Sequence, residues 1–137
     1  MTTRQSTAIW NGTLKEGNGT MVIGPGHYSG PFTYASRFEN GKGTNPEELI
    51  GAANAGCFSM FLSGLLTKAN YSPSEINTTA TVHLNEGTIN LIELSCRATV
   101  AGIINEEFQA LALEAKEKCP VSKLLSAAEI RLVAVLA

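Results

Sequence analysis

Two stretches of the chain alternate apolar and polar residues with the period of a strand. In 76–86, Ile76, Thr78, Ala80, Val82 and Leu84 face one way and Asn77, Thr79, Thr81, His83 and Asn85 the other. After a turn at Gly87, the stretch 89–100 repeats the pattern. Ile92, Leu94, Cys96, Ala98 and Val100 point inward, and Glu93, Ser95, Arg97 and Thr99 outward. Together they predict an antiparallel hairpin. Nearer the N-terminus, 7–15 reads as a strand, 16–19 as a turn and 20–23 as its return strand. The Gly- and Pro-rich run 24–31 reads as a loop, 32–38 as extended chain and 39–43 as a further turn. A last strand is expected over 129–136.

The helical signals are of two kinds. Asn45 is a good N-cap, Pro46 suits the first helical position and Glu48 completes a capping box, so a helix should run from there to about Lys68. Between Leu49 and Leu66 it carries no charge and is apolar on nearly every side. That length touches the lower limit for a membrane span, about 18 residues. However, Gly51, Asn54, Gly56, Ser59, Ser63 and Gly64 dilute its hydrophobicity and flanking anchors are missing. The pattern therefore predicts a helix buried on all sides, within a fold or an oligomer. A second helix, capped by Asn105, has an apolar stripe of Phe108, Leu111, Ala112, Ala115 and Cys119. Pro120 ends it, and 121–125 is expected to form one further turn or a short helix. Strands and helices come in blocks, which makes the class α+β.

The 137 residues fit a single domain, and a net charge of −2 without a Lys/Arg stripe argues against nucleic acid as a partner. Aspartate is absent, so carboxylate chemistry must come from Glu. The two histidines, His27 and His83, lie far apart, which disfavours a His-based metal site or triad. Three cysteines, Cys57, Cys96 and Cys119, form no CxxC pair. The first residues lack the apolar core of a signal peptide. The expected compartment is the cytoplasm, where an unpaired thiol stays reduced. Taken singly, each cysteine reads as core filling, Arg37 as a surface residue and Glu47 as a complement to the helix dipole. Periodicity alone leaves the site open.

Two longer segments change that. Arg37-Phe38-Glu39, followed by Gly43-Thr-Asn-Pro-Glu-Glu-Leu-Ile-Gly-Ala-Ala-Asn-Ala-Gly-Cys-Phe-Ser-Met60, resembles the signature region of the OsmC/Ohr peroxidase family. Ala115-Lys-Glu-Lys-Cys-Pro-Val-Ser-Lys123 resembles that family's second cysteine motif. The order of elements also matches from Thr7 to the C-terminus. The OsmC branch is favoured over the Ohr branch, because the early turn at 15–20 has no arginine whereas Arg37 stands just before the Asn-Pro-Glu motif.

The resemblance implies a single OsmC-like domain over 1–137, with antiparallel sheets enclosing long central helices in an intertwined homodimer. It implies a thiol-dependent peroxidase that reduces organic hydroperoxides, and hydrogen peroxide besides, without a cofactor or metal. By position, Cys57 matches the peroxidatic cysteine and Cys119 the resolving one. Arg37 matches the arginine that stabilises thiolate and peroxide, and Glu47 the carboxylate that orients it. An external thiol or dithiol, lipoyl-type or small, is the implied reductant; no nucleic acid or membrane is involved. The alternative is a non-enzymatic redox sensor or binding protein of the same fold. Phe58, Met60 and Phe61 suit either an organic substrate or the core alone. One difficulty is geometric. Ten residues of helix separate Glu47 from Cys57 by about 15 Å. Either the helix breaks near Gly51 or Gly56, or Glu47 serves the partner chain's Cys57; a break at Gly56 would also bring Cys57 close to a helix N-terminus.

Overall fold

The computed structural model describes Met1–Ala137, and its contacts divide into two compact units, Met1–Leu49 and Ile50–Ala137. In the first, β1 (Ser6–Asn11), β2 (Asn18–Ile23) and β3 (Tyr28–Phe32) form an antiparallel sheet in that order. A short helix follows, α1 (Tyr34–Phe38), and then the start of a long one, α2 (Pro46–Lys68). The strand expected over 7–15 ends at Asn11. Two other expectations are corrected. The presumed loop 24–31 contains most of β3, whose Pro31 lies opposite Thr20 on an edge strand, where a missing N–H is tolerated. The presumed extended run 32–38 contains α1, because Thr33 and Ser36 cap its first turn reciprocally: Ser36 N donates to Thr33 Oγ1 (3.0 Å) and Thr33 N to Ser36 Oγ (2.8 Å).

In the second unit, β4 (Pro73–Asn85) and β5 (Thr88–Val100) make the expected hairpin. Its two-residue loop, Glu86-Gly87, has φ of +49° and +79°. Positive φ at both positions matches the twist of the flanking strands, and Gly at the second relieves the strain there. β6 (Glu129–Leu136) joins the other side of β5 in parallel, giving the order β4-β5-β6. The sheet is thus mixed rather than purely antiparallel. The crossover that returns the chain for parallel pairing holds α3 (Asn105–Lys118) and α4 (Pro120–Leu124). Asn105 does not cap α3: Ile104 occupies that place with extended backbone, and the Asn105 side chain accepts from Gln109 Nε2 one turn on.

The alternation of β5 holds from Ile92 to Val100. Ile92, Leu94, Cys96, Ala98 and Val100 are buried, and they pack with Phe58, Leu62 and Leu66 of α2 and Phe108, Ala112 and Ala115 of α3 in one apolar cluster. Gly51 sits where a Cβ would already be 3.4 Å from Val82 Cγ2, so α2 lies close against β4. α2 is continuous from Pro46 to Lys68, without the break considered at Gly51 or Gly56. Cys57 is therefore mid-helix, not near an N-terminus. By length and composition α2 could also cross a membrane. Only one of its faces is covered within the chain. Ala53, Gly56, Met60 and Gly64 are exposed on the other, Met60 at 79%.

These burials make a stability contrast. Leu94→Ala removes a side chain that is 1% exposed and should cost about 2–5 kcal/mol. Val133→Ala, on the outer face of β6 at 63% exposure, should stay within about 0.5 kcal/mol. Urea denaturation of the two variants checks the difference.

Candidate active site

In the N-terminal unit the sequence brings Arg37 and Glu47 together through a short, heavily hydrogen-bonded loop. Gly43, at φ +119°, lets the chain pass so close to Pro31 that a Cβ would lie 2.5 Å from its carbonyl oxygen. Thr44 N then donates to Pro31 O (2.9 Å). Ser36 Oγ donates to Thr44 O (2.8 Å) and Asn45 Nδ2 to Ser36 O (2.9 Å), tying α1 to the loop before α2. Asn45 caps α2 as expected: its Oδ1 accepts from Glu48 N at 2.8 Å. The Glu48 carboxylate takes a bond from Asn45 Nδ2 at 3.0 Å.

On this frame Arg37 meets Glu47 side-on. Nη2 donates to Oε1 at 2.7 Å, and Nε lies 3.2 Å from both carboxylate oxygens. Such a planar, forked pair fixes the guanidinium in direction as well as place. The Glu47 bond is the main reason the Arg37 pKa is raised above its ordinary value. The Nη1 edge has no partner within the chain and is free to donate. Beside it opens a cavity of about 200 Å³ lined by Trp10, Leu14, Phe32, Tyr34, Phe38 and Pro46, with Arg37 its one charged wall.

In the C-terminal unit Cys57 on α2 and Cys119 at the end of α3 are both free thiols, Cys57 partly exposed and Cys119 fully buried. They are close enough to perturb each other's ionisation. Burial is the largest influence on Cys57 and pushes its pKa up. The Val121 N–H opposes that, while Cys119 adds to the rise. Cys119 moves the other way. Burial again pushes up, but the Ser122 hydroxyl, Cys57 and the N–H groups of Ser122 and Val121 together hold it below its ordinary value. Within this unit, then, the donors converge on Cys119, and no cation is among the influences on Cys57.

Two polar residues that sequence reasoning passed over stand behind Cys119. Ser122 Oγ is 3.3 Å and Ser122 N 3.4 Å from Cys119 Sγ. Asn54, one turn before Cys57 and completely buried, donates from Nδ2 to Ser122 Oγ at 2.9 Å. Its Oδ1 has no partner; leaving such a group unpaired in a core costs roughly 1–3 kcal/mol. The available signal was a polar residue on the core-facing side of an apolar helix.

The remaining candidates separate from these. Cys96 is 1% exposed in the core. Phe58 and Phe61 belong to the apolar cluster rather than to a substrate surface. His83 pairs with Glu93 on the outer sheet face (2.6 Å). No group of three or more His, Cys, Asp or Glu side chains is arranged to hold a metal ion.

The chain is similar to known proteins in sequence and in fold. The family described as OsmC-like protein matches residues 39–133. Peroxiredoxin OsmC of Escherichia coli (strain K12) is 43% identical over 129 residues, covering 90% of each chain. Among solved structures, an OsmC-like protein from Mycoplasma pneumoniae superposes with a TM-score of 0.74 at 16% identity, covering 99% of this chain and 98% of that one. The organic hydroperoxide resistance protein OhrB of Bacillus subtilis does so with 0.66 at 22% identity, covering 97% and 98%.

The opposed shifts of the two thiols can be tested directly. Because Cys119 raises the Cys57 pKa through both its hydrogen bond and its charge, Cys119→Ala should move the midpoint of Cys57 alkylation to lower pH. Iodoacetamide labelling across pH, read by mass spectrometry, checks this; an unchanged midpoint would show that the sulfurs do not interact.

Proposed function

The chain belongs to the OsmC-like protein family and is a thiol peroxidase, and from that footing we propose that Cys57 attacks the hydroperoxide and Cys119 resolves the product. The observation that carries this is the pairing of two free, mutually perturbing thiols in one unit. The Cys57 thiolate takes the terminal peroxide oxygen: an S–O bond forms, the O–O bond breaks, and the alkoxide leaves as alcohol after gaining a proton. Cys119 then displaces hydroxide from the sulfenic acid, which departs as water, and a disulfide forms before over-oxidation can occur. An external dithiol returns both sulfurs to thiols.

A thiol with a raised pKa attacks slowly unless a cation reaches it. Arg37 is suited to this, since a guanidinium keeps its charge when desolvated, and its free Nη1 edge can donate to the oxygen that gains charge in the transition state. Glu47 holds the other edge. The aromatic cavity beside Arg37 suits the apolar body of an organic hydroperoxide.

Because α2 is unbroken, the ten residues between Glu47 and Cys57 amount to about 15 Å of rise. We therefore assign Arg37 and Glu47 to the Cys57 and Cys119 of a second copy, in a homodimer working in the cytoplasm. That copy also covers the bare stripe of α2, in place of lipid, and each chain functions as one domain of the family.

Two variants test the arrangement. Cys57→Ser and Arg37→Ala should each lose activity as homodimers, Arg37→Ala by about 10²–10³-fold. If the sites are shared between chains, a heterodimer of the two has one intact site and should recover about half the parent activity. Steady-state consumption of an organic hydroperoxide with a dithiol measures this. No recovery in an isolated heterodimer would place each site within one chain.

A further inference from the structure

Resting on the reading of Cys119 as the resolving sulfur, we propose that Asn54 and Ser122 are positioning residues for that sulfur: the Asn54 amide donates to Ser122 Oγ, which directs the Ser122 O–H onto Cys119 Sγ and holds it as the anionic nucleophile of the second half-reaction. The geometry supplies each link. Asn54 Nδ2 is 2.9 Å from Ser122 Oγ, and Ser122 Oγ is 3.3 Å from Cys119 Sγ. With Asn54 donating, the serine oxygen is already an acceptor and its proton must go elsewhere. In the thiol form the Cys119 S–H donates to Ser122 Oγ; once the proton has left, the direction reverses and the O–H donates to sulfur. The Ser122 N–H at 3.4 Å adds a second donor. All three residues are buried, Asn54 and Cys119 at 0% and Ser122 at 4% exposure, so water does not compete.

The chemistry needs this device most after the first step. While Cys57 is a thiol, it also helps lower the Cys119 pKa. Once Cys57 carries oxygen that donor is gone, and Ser122 with the Val121 N–H is what remains. The titratable group facing Cys119 is the Cys57 thiol of α2. Within the C-terminal unit, no lysine or carboxylate of α3, α4 or β6 contributes to its ionisation.

A charge-stabilised thiolate is more abundant but less nucleophilic. For each tenfold loss of thiolate fraction, the higher basicity returns about threefold in rate. This predicts a crossover that simple loss of packing would not produce. After one equivalent of cumene hydroperoxide, quenched-flow mass spectrometry should resolve Cys57 sulfenic acid formation from Cys57–Cys119 disulfide formation. Ser122→Ala should slow the second phase about threefold on the acid limb of its pH profile and speed it about threefold on the alkaline limb. The first phase should be little changed, which also reports that the variant is folded. Ser122→Thr should restore the parental profile, and Asn54→Leu should shift it in the same sense as Ser122→Ala. An unchanged profile, or slowing by the same factor at every pH, overturns the proposal. Should Ser122→Ala not fold, Asn54→Leu alone must show the crossover, or the proposal falls. A parent protein that forms no Cys57–Cys119 disulfide would instead overturn the assignment of Cys119, a separate failure.

Discussion

The fold is organised by a helix that has no polar side. α2 presents Gly51, Asn54, Phe58, Leu62 and Leu66 to the core of its own chain and leaves Ala53, Gly56, Met60 and Gly64 bare. Nothing of the chain lies within 4 Å of where a Cβ would stand on Gly56 or Gly64. Small residues in such a row let another backbone approach closely, and a single large side chain among them adds area. Burying a methionine side chain contributes about 1.5–3 kcal/mol, so the stripe favours being covered. In the proposed homodimer a second copy covers this stripe and brings its own Arg37.

In the proposed reaction the local hydrogen-bond donors distinguish the two sulfurs. Inside the C-terminal unit burial opposes charge on both sulfurs, but Cys119 draws on more donors: a hydroxyl, two N–H groups and the neighbouring thiol. Cys57 has burial against it and one N–H in its favour. In the proposed reaction this asymmetry is useful. A peroxidatic sulfur that becomes a thiolate only when an arginine is present reacts only in the assembled site. A resolving sulfur stabilised by its own unit needs no such partner, and it is ready when the sulfenic acid forms.

The sequence was most legible where one physical rule acted alone. β4 and β5 each turn one face more deeply into the core, β5 fully so from Ile92 to Val100, so period two survives in the residues and the hairpin could be placed closely. α2 announced its start through Asn45, Pro46 and Glu48, and its end fell at Lys68 as expected. Legibility failed where elements are too short for a period or use unusual chemistry. β3 includes Gly30 and Pro31, which mark a loop in most settings but are tolerated on an edge strand. α1 is a single turn, capped by a Thr33–Ser36 exchange rather than by a Glu or Gln. The parallel pairing of β6 depends on where a crossover lands, which no local pattern records. Of the candidate site, Arg37 and Glu47 were found through their motif. Their pairing rests on Ser36, Thr44 and Asn45, whose bonds periodicity does not encode.

The choice of arginine follows from the geometry around it. Glu47 engages Nε and Nη2 together, and that occupies one edge of a flat cation while leaving the Nη1 edge directed away. An ammonium has no such edges: paired with the same carboxylate, a lysine would place its single charge against Glu47 and lose much of its field to it. Pairing therefore weakens the net charge available to a thiolate but fixes the direction of the remaining donors. Where a transition state develops charge on one oxygen at a known position, direction matters more than magnitude, since a donor already aimed needs no reorganisation as the O–O bond breaks. In the proposed reaction the Thr33–Ser36 cap, the Gly43 passage and the Asn45 bonds serve this end: they hold α1 and the first turn of α2 so that Arg37 lies side-on to its carboxylate.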